Sequence, residues 1–481
     1  MMYVYMSNFN NPFAYIKLSR ATTVCFDKDK ALCDGSLSVK KLVILDPKNP
    51  ESQVSQIISN VLNATNEQTP IAKALKQKYD FELTTDIKES IPYIQETRSF
   101  GATFKNGKTY IIGLPEYLPI KNKTGILNRC EEFINRGHDV YVLGMGTSEI
   151  DVIALIIAKE NIRETMTSSI KWLNDNGVDV KVISSDLPIK TAALAYDAGV
   201  KNANRQVSLE NMVINTVKAN ADSYVVFGNA SEEQKEAVID GLKANGKKVV
   251  LIDSDIENLP KAFEDSKRLS NNLHRVGLFL ITKVLLAIFL TLLLVIGFKN
   301  ENPFNLYRYF VLDAIIDTFV TVLLMIDRRR NEVKGKFIIN VLKYSLPSAV
   351  MMFVSTVVIF ILYSMQQKGM VSFGLYSIDT ATAMSAIAFA ILSVAVLYNV
   401  FLPLNKYRRT LLIATGLVTV ASLVVSAIIS YSTKGADPLF GIAFNEMNGP
   451  AYLITAIIVI VLIGLYTALY KIFGKDEEYE N

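Results

Sequence analysis

The sequence predicts an α/β domain with a parallel, Rossmann-like sheet, interrupted by an inserted α+β domain and followed by an all-α six-helix transmembrane domain. Three observations carry this. Apolar runs long enough to cross a bilayer are confined to the residues after Arg275. Before that point, short β-branched runs alternate with helical segments, the pattern of a parallel sheet with crossover helices. Between Leu42 and about Gly146 the alternation gives way to helices followed by a hairpin signal. The predicted division is 1–41 with 147–275 for the α/β domain, 42–146 for the insertion, 276–474 for the membrane helices and 475–481 for a cytoplasmic tail.

The first element is the apolar run from Thr22 to Phe26, which ends in Asp27. Helical stretches follow at Ser52–Asn63 and Ile71–Tyr79. Strands at Ala102–Phe104 and Tyr110–Ile112 then flank Lys105-Asn106-Gly107-Lys108, and Asn-Gly is a strong hairpin turn. The run Val178–Ile183 ends in Ser184, Ser185 and Asp186. Pro188, favoured at a first helical position, opens a helix that stops at Gly199. Tyr224–Phe227 is the next strand. Ser231 is the N-cap of a helix running to about Ala244, and Lys248–Ile252 is a strand ending in Asp253-Ser254-Asp255. In parallel sheets ligands bind at the carboxyl ends of strands. Asp27, Ser184, Lys235 and Asp253 all fall there, which makes those ends the predicted site.

Six runs are long enough to span about 30 Å of hydrocarbon: Val276–Gly297, Leu306–Ile326, Leu346–Met365, Ala381–Phe401, Leu411–Tyr431 and Ala451–Ile472. The loop after the second holds Arg328, Arg329, Arg330, Lys334, Lys336 and Lys343. The loop after the fourth holds Lys406, Arg408 and Arg409. The positive-inside rule places both loops, and with them the soluble domains and both termini, on the cytoplasmic side of a cell membrane. Charges within the spans are costly and call for a reason. Asp313 and Asp317 lie four apart, on one helix face, as a transport cation site or a satisfied interior pair. Lys283, about two turns into the first span, is expected to snorkel to the interface.

Composition narrows the function classes. A net charge of +4 over 481 residues is too small for a nucleic-acid partner, and the cations cluster beside the spans. Three cysteines, Cys25, Cys33 and Cys130, fit a reducing compartment rather than a disulfide framework. Two histidines, His138 and His274, with no close Cys/His spacing argue against a zinc site. Met1 to Leu18 lacks the basic start and apolar core of a signal peptide.

The stretch V-C-F-D-K-D-K-A-L-C-D-G, from Val24 to Gly35, resembles the phosphorylation loop of P-type cation-transporting ATPases, in which the strand is followed by D-K-T-G-T. Further strings support the resemblance. Ile91 to Phe104 and Tyr110 to Glu116 are similar to nucleotide-domain segments of that family. Lys181 to Asp186 is similar to "VKVISGD", Ser231 to Lys235 to "PEQK", and Val333 to Phe337 to "VKGKF". The order matches the C-terminal half of such an ATPase from about Ala21 onward. The α/β domain would be its haloacid dehalogenase-like phosphorylation domain and the insertion its nucleotide-binding domain.

The resemblance implies roles. Asp27, Lys28, Asp29, Ser184, Asp186 and Lys235 would form the phosphorylation site. Arg98 and Gly113 would bind nucleotide. Asp27, Asp253 and Asp255 would hold Mg2+, and Asp313 and Asp317 the transported ion. Mg2+ and ATP are the implied cofactors if activity is retained. The departures are as specific. Asp29, Lys30 and Ala31 replace the loop's Thr, Gly and Thr. The T-G-D-like loop is Ser184-Ser185-Asp186, and Ile112 stands where the nucleotide domain has lysine. The hinge motif G-D-G-x-N-D has no match, and the family's first four helices and T-G-E actuator loop have no counterpart.

These departures predict a truncated, catalytically inactive homologue in the lipid bilayer, acting as a structural or regulatory partner of another membrane protein. Two enzymatic readings stay open. One is half of a split pump, whose partner chain supplies the N-terminal half. The other is a membrane-anchored phosphatase, because Asp27-Lys28-Asp29 recreates the D-x-D of hydrolytic haloacid dehalogenase relatives, in which the second Asp is a general acid/base.

Overall fold

The computed structural model describes residues 17–45, 47, 49–254, 256, 258–297, 317–327, 337–372, 377–435 and 442–474. The chain divides into two compact units, Met1–Phe263 and Glu264–Asn481.

The first unit holds two sheets. Strand β1 (Thr23–Asp27) enters a loop at Lys28–Leu32 and continues into the long β2 (Cys33–Ile44). Helices α1 (Glu51–Thr65) and α2 (Pro70–Lys78) follow. Next come β3 (Ile87–Ile94), β4 (Ser99–Phe104), β5 (Thr109–Gly113), α3 (Lys123–Ile134), β6 (Asp139–Met145) and β7 (Asp151–Ile162). The rest is α4 (Met166–Asp175), β8 (Asp179–Ile183), α5 (Pro188–Asp197), β9 (Gln206–Ser208), α6 (Ile214–Asn220), β10 (Val226–Gly228), α7 (Glu232–Ala244) and β11 (Val249–Ile252).

One sheet has the order β11-β1-β8-β10-β9 with all pairs parallel. Strand β1, flanked by β11 and β8, is buried along its whole length, as a strand covered on both faces must be. Val24 and Phe26 pack with α4 and α5 residues such as Ile170 and Leu194 on one face. Cys25 joins Phe227 and Val238 on the other. Each large side chain so buried contributes about 1.5–3 kcal/mol.

The second sheet is antiparallel, in the order β2-β7-β6-β5-β4-β3. The Asn106-Gly107 hairpin joins β4 to β5 with Ala102 opposite Tyr110, and Gly107 takes φ +80°, where glycine is favoured. Helices α1 and α2 cover one face through Ile58, Val61 and Leu75. Strands β2 and β7 are its links to the parallel sheet, so this sheet begins at Cys33 and ends at Ile162, wider than the segment 42–146.

In the second unit, α8 (Leu259–Gly297), α9 (Phe337–Gln367), α10 (Ile378–Phe401), α11 (Lys406–Ser432) and α12 (Gly449–Gly474) are the five helices among the described residues long and apolar enough to cross a membrane. The predicted second run, 306–326, is described only from residue 317, where residues 317–325 are helical. The basic loop at 328–336 and the tail at 475–481 lie outside the described residues. Helix α10 is the most enclosed, with Ala383, Phe389 and Leu392 in the common core.

Candidate functional site

Parallel pairing brings three strand ends to one edge. Phe26 pairs with Val182 on one side and Ile252 on the other, so Asp27, Ser184 and Asp253 emerge together. Asp27 is almost fully buried and caps the turn that follows it. Its Oδ1 accepts from the backbone N–H of Asp29 at 3.1 Å and of Lys30 at 3.2 Å. Its Oδ2 accepts from Lys235 Nζ at 2.9 Å.

Lys235 is delivered by α7, whose start carries the capping box expected from Ser231. Ser231 Oγ accepts from Gln234 N, and the Gln234 side chain accepts in return from Ser231 N. The Gln234 amide also donates to Leu209 O and Met212 O, anchoring this turn to the preceding loop. Burial pulls the Lys235 ammonium down, but hydrogen bonds to Glu232 and Asp27 outweigh it and hold the amine above its ordinary value.

Ser184 is fully buried and its Oγ accepts from Asp186 N at 3.0 Å, an ST-turn that orients the Asp186 carboxylate. The loop closes against β10, where a Cβ on Gly228 would stand 2.3 Å from Pro188 N. No larger residue fits at that close approach.

The neighbouring Lys28 is the most buried cation here. Its Nζ lies 2.8 Å from Asp29 Oδ1, 2.6 Å from Glu160 Oε2 and 2.5 Å from Asp186 Oδ2. Those three carboxylates offer oxygens within 4.8 Å of one another, the spacing of a cation site, and the cation among them is the Lys28 ammonium. Lys190 extends the network to Glu160, Asp186 and Asp139 at 2.7, 3.1 and 2.9 Å. Burial raises the Glu160 and Asp186 carboxyls, and the two lysines reverse this and hold both below their ordinary values. Burial wins at Asp139, whose carboxyl is raised despite Lys190.

The predicted site residues therefore fall into two sets: Asp27 with Lys235, and Lys28 with Asp29 and Asp186. Glu160, Lys190 and Asp139 were not legible. Glu160 follows the apolar run of β7, and a carboxylate ending such a run is the one signal that could have found it.

Asp253 is raised by burial, with its own backbone amide and Lys30 pulling the other way. Its Oδ1 is buried without a hydrogen-bond partner among the described residues. Asp255 and Asp313 lie outside the described residues. Gly113 ends β5 and Arg98 lies in the turn before β4, at a separate cavity of about 420 Å³ shared with Tyr93, Phe100 and Tyr141. The Arg98 guanidinium stacks 4.6 Å from the Tyr117 ring centroid. A Cβ on Gly113 would stand 2.4 Å from Ser99 Cβ across the strand pair, so packing alone requires that glycine.

Residues 21–262 match the model of the haloacid dehalogenase-like hydrolases, half of the chain and its whole two-sheet unit. The chain belongs to that family. It is also homologous to cation-transporting P-type ATPases. It is 23% identical over 389 residues to the probable cation-transporting ATPase exp7 of Streptococcus pneumoniae, covering 69% of this chain and 49% of that one. It is 20% identical over 394 residues to the calcium-transporting ATPase CtpE of Mycolicibacterium smegmatis, covering 71% and 49%. CtpE of Mycobacterium tuberculosis is 20% identical over 320 residues, covering 57% and 40%. The chain thus spans about half the length of the curated relatives it matches. With five apolar spans beside this homology, it is a multi-pass membrane protein.

The family implies Mg2+ at the strand ends, and the donor set does not fit it. Asp253 offers one orphaned oxygen, but Asp27 Oδ1 already accepts two N–H bonds, the Lys235 ammonium sits on Oδ2, and Lys30 adds positive charge beside Asp253. A divalent ion wants several free, hard oxygens and no cation at its shoulder.

Proposed function

We propose that this chain keeps the fold of a P-type ATPase phosphorylation domain without its aspartyl-phosphate turnover, and acts in the membrane as a structural or regulatory partner of another membrane protein. The observation that carries the reading is the loop after Asp27. Asp27 Oδ1 caps the Lys28–Leu32 turn and Oδ2 accepts one bond from Lys235, which leaves a lone pair on Oδ2, so it is the loop that decides. The loop positions that would cradle a phosphoryl group are Asp29, Lys30 and Ala31, which supply neither hydroxyls nor glycine.

Asp29 gives the phosphatase reading little support, since its carboxylate is paired to Lys28. ATP enters this reading as a probe only. The test is the ATPase rate of detergent-purified protein against an Asp27→Asn control. The expected result is equal rates. A rate that requires Asp27 overturns the proposal and favours an ATP-driven pump assembled with a second chain.

A further inference from the structure

Three membrane helices meet at one ammonium. Lys283 of α8 donates from Nζ to Ser393 Oγ of α10 at 2.9 Å, and the same Nζ lies 3.8 Å from Asp317 Oδ1 in the helix at 317–325. It also sits 5.3 Å from the Phe279 ring centroid, over its π face. Both charged side chains are 11% exposed. Lys283 lies inside the apolar run Val276–Gly297, where a long cationic side chain ordinarily reaches for the interface. Here it turns into the bundle, contrary to the snorkelling expected from sequence, and spends its charge on a carboxylate that is itself costly in hydrocarbon.

We infer that Lys283 is a tethered counter-cation: it neutralises Asp317 in place of a free metal ion and sets the cation preference of this membrane unit by exclusion. Two physical facts drive the exclusion. A metal ion entering beside Asp317 would meet the Lys283 charge at low dielectric, where like charges repel strongly. A tethered ammonium also pairs without the loss of translational freedom that a free ion undergoes on binding. Ser393 adds a neutral oxygen to the ammonium's shell. This inference concerns the membrane carboxylate alone and does not depend on whether Asp27 accepts a phosphoryl group.

The test is thermal unfolding of the full chain in detergent at constant ionic strength, with choline chloride exchanged for sodium, potassium, calcium or manganese chloride. The expected result is a wild-type Tm that no metal ion moves. Lys283→Met is expected to melt lower and to recover by about 3 °C or more with at least one of these ions. The recovery is expected to vanish in Lys283→Met with Asp317→Asn. A wild-type response absent from that double variant overturns the proposal. So does a folded Lys283→Met without any response, or a response the double variant retains. If Lys283→Met does not fold, rescue of folding by adding Asp317→Asn supports an Asp317 charge that Lys283 neutralises, and failure of both alike refutes it.

Discussion

Lys28 and Glu160 are 132 residues apart in sequence, yet the Lys28 ammonium donates to Glu160 Oε2 at 2.6 Å. Lys28 opens the loop after β1 of the parallel sheet, and Glu160 lies near the end of β7 of the antiparallel sheet. The pair ties the strand that returns from the insertion to the loop that follows Asp27.

Lys28→Met takes the cation from Asp29 and leaves Glu160 and Asp186 with Lys190 alone. Breaking a buried pair from one side costs about 3–5 kcal/mol, so a large fall in the stability of the first unit is expected. Trp172, the only tryptophan, packs at 5.5 Å on Phe263 within that unit, and its fluorescence during urea unfolding reports this unit selectively. An unchanged midpoint would mean that the network contributes nothing.

Acid should weaken the same unit. Glu160 and Asp186 are held below their ordinary values of 4.5 and 3.8, so their contribution is complete above those values and drains away as pH falls through the folded ones. Asp139, raised by burial, works in the opposite direction and offsets part of the loss. The Trp172 midpoint is expected to drop below about pH 4.5, and Glu160→Gln to flatten that drop.

Ser231→Ala removes the cap of α7 and is expected to cost about 1 kcal/mol. Because the first turn of α7 also presents Lys235 to Asp27, Lys235→Met in the Ser231→Ala background should cost less than in wild type. Urea midpoints of the four proteins form the cycle that checks this.

In the second unit, Arg408 Nε donates to Asp327 Oδ2 at 2.5 Å with both side chains essentially fully buried. Asn405 Nδ2 and Asn272 Nδ2 donate to the Oδ1 and backbone oxygen of the same Asp327, at 3.2 and 2.8 Å. Asp327→Ala is expected to lower the detergent Tm sharply, because it strands a buried guanidinium. Adding Arg408→Leu should restore part of the loss, since a neutral, packed pair need not be worse than an ionic one.

Local signals were legible in the sequence and long-range pairings were not. The Asn106-Gly107 hairpin, the Ser231 cap and the strand ending in Asp27 are written within a few residues each, and the structure has all three. Parallel pairing then brings Asp27, Ser184 and Asp253 to one edge by topology alone. No local pattern ties Lys28 to Glu160, or Asp327 to Arg408. Arg408 in particular sits in a run of cations that the positive-inside rule explains without a partner, and only the packed bundle reveals its burial. Lys283 was misjudged for the same reason, because its partners Asp317 and Ser393 lie on other helices.

The decisive measurement is acid-quenched labelling of the detergent-purified chain with γ-labelled ATP and Mg2+. An Asp27 whose loop offers neither a hydroxyl nor a glycine at Asp29, Lys30 and Ala31 should carry no hydroxylamine-labile label above the Asp27→Asn control, in protein shown to be folded. Acid-stable, hydroxylamine-labile label that disappears in Asp27→Asn would contradict this and make the chain a working phosphoryl acceptor.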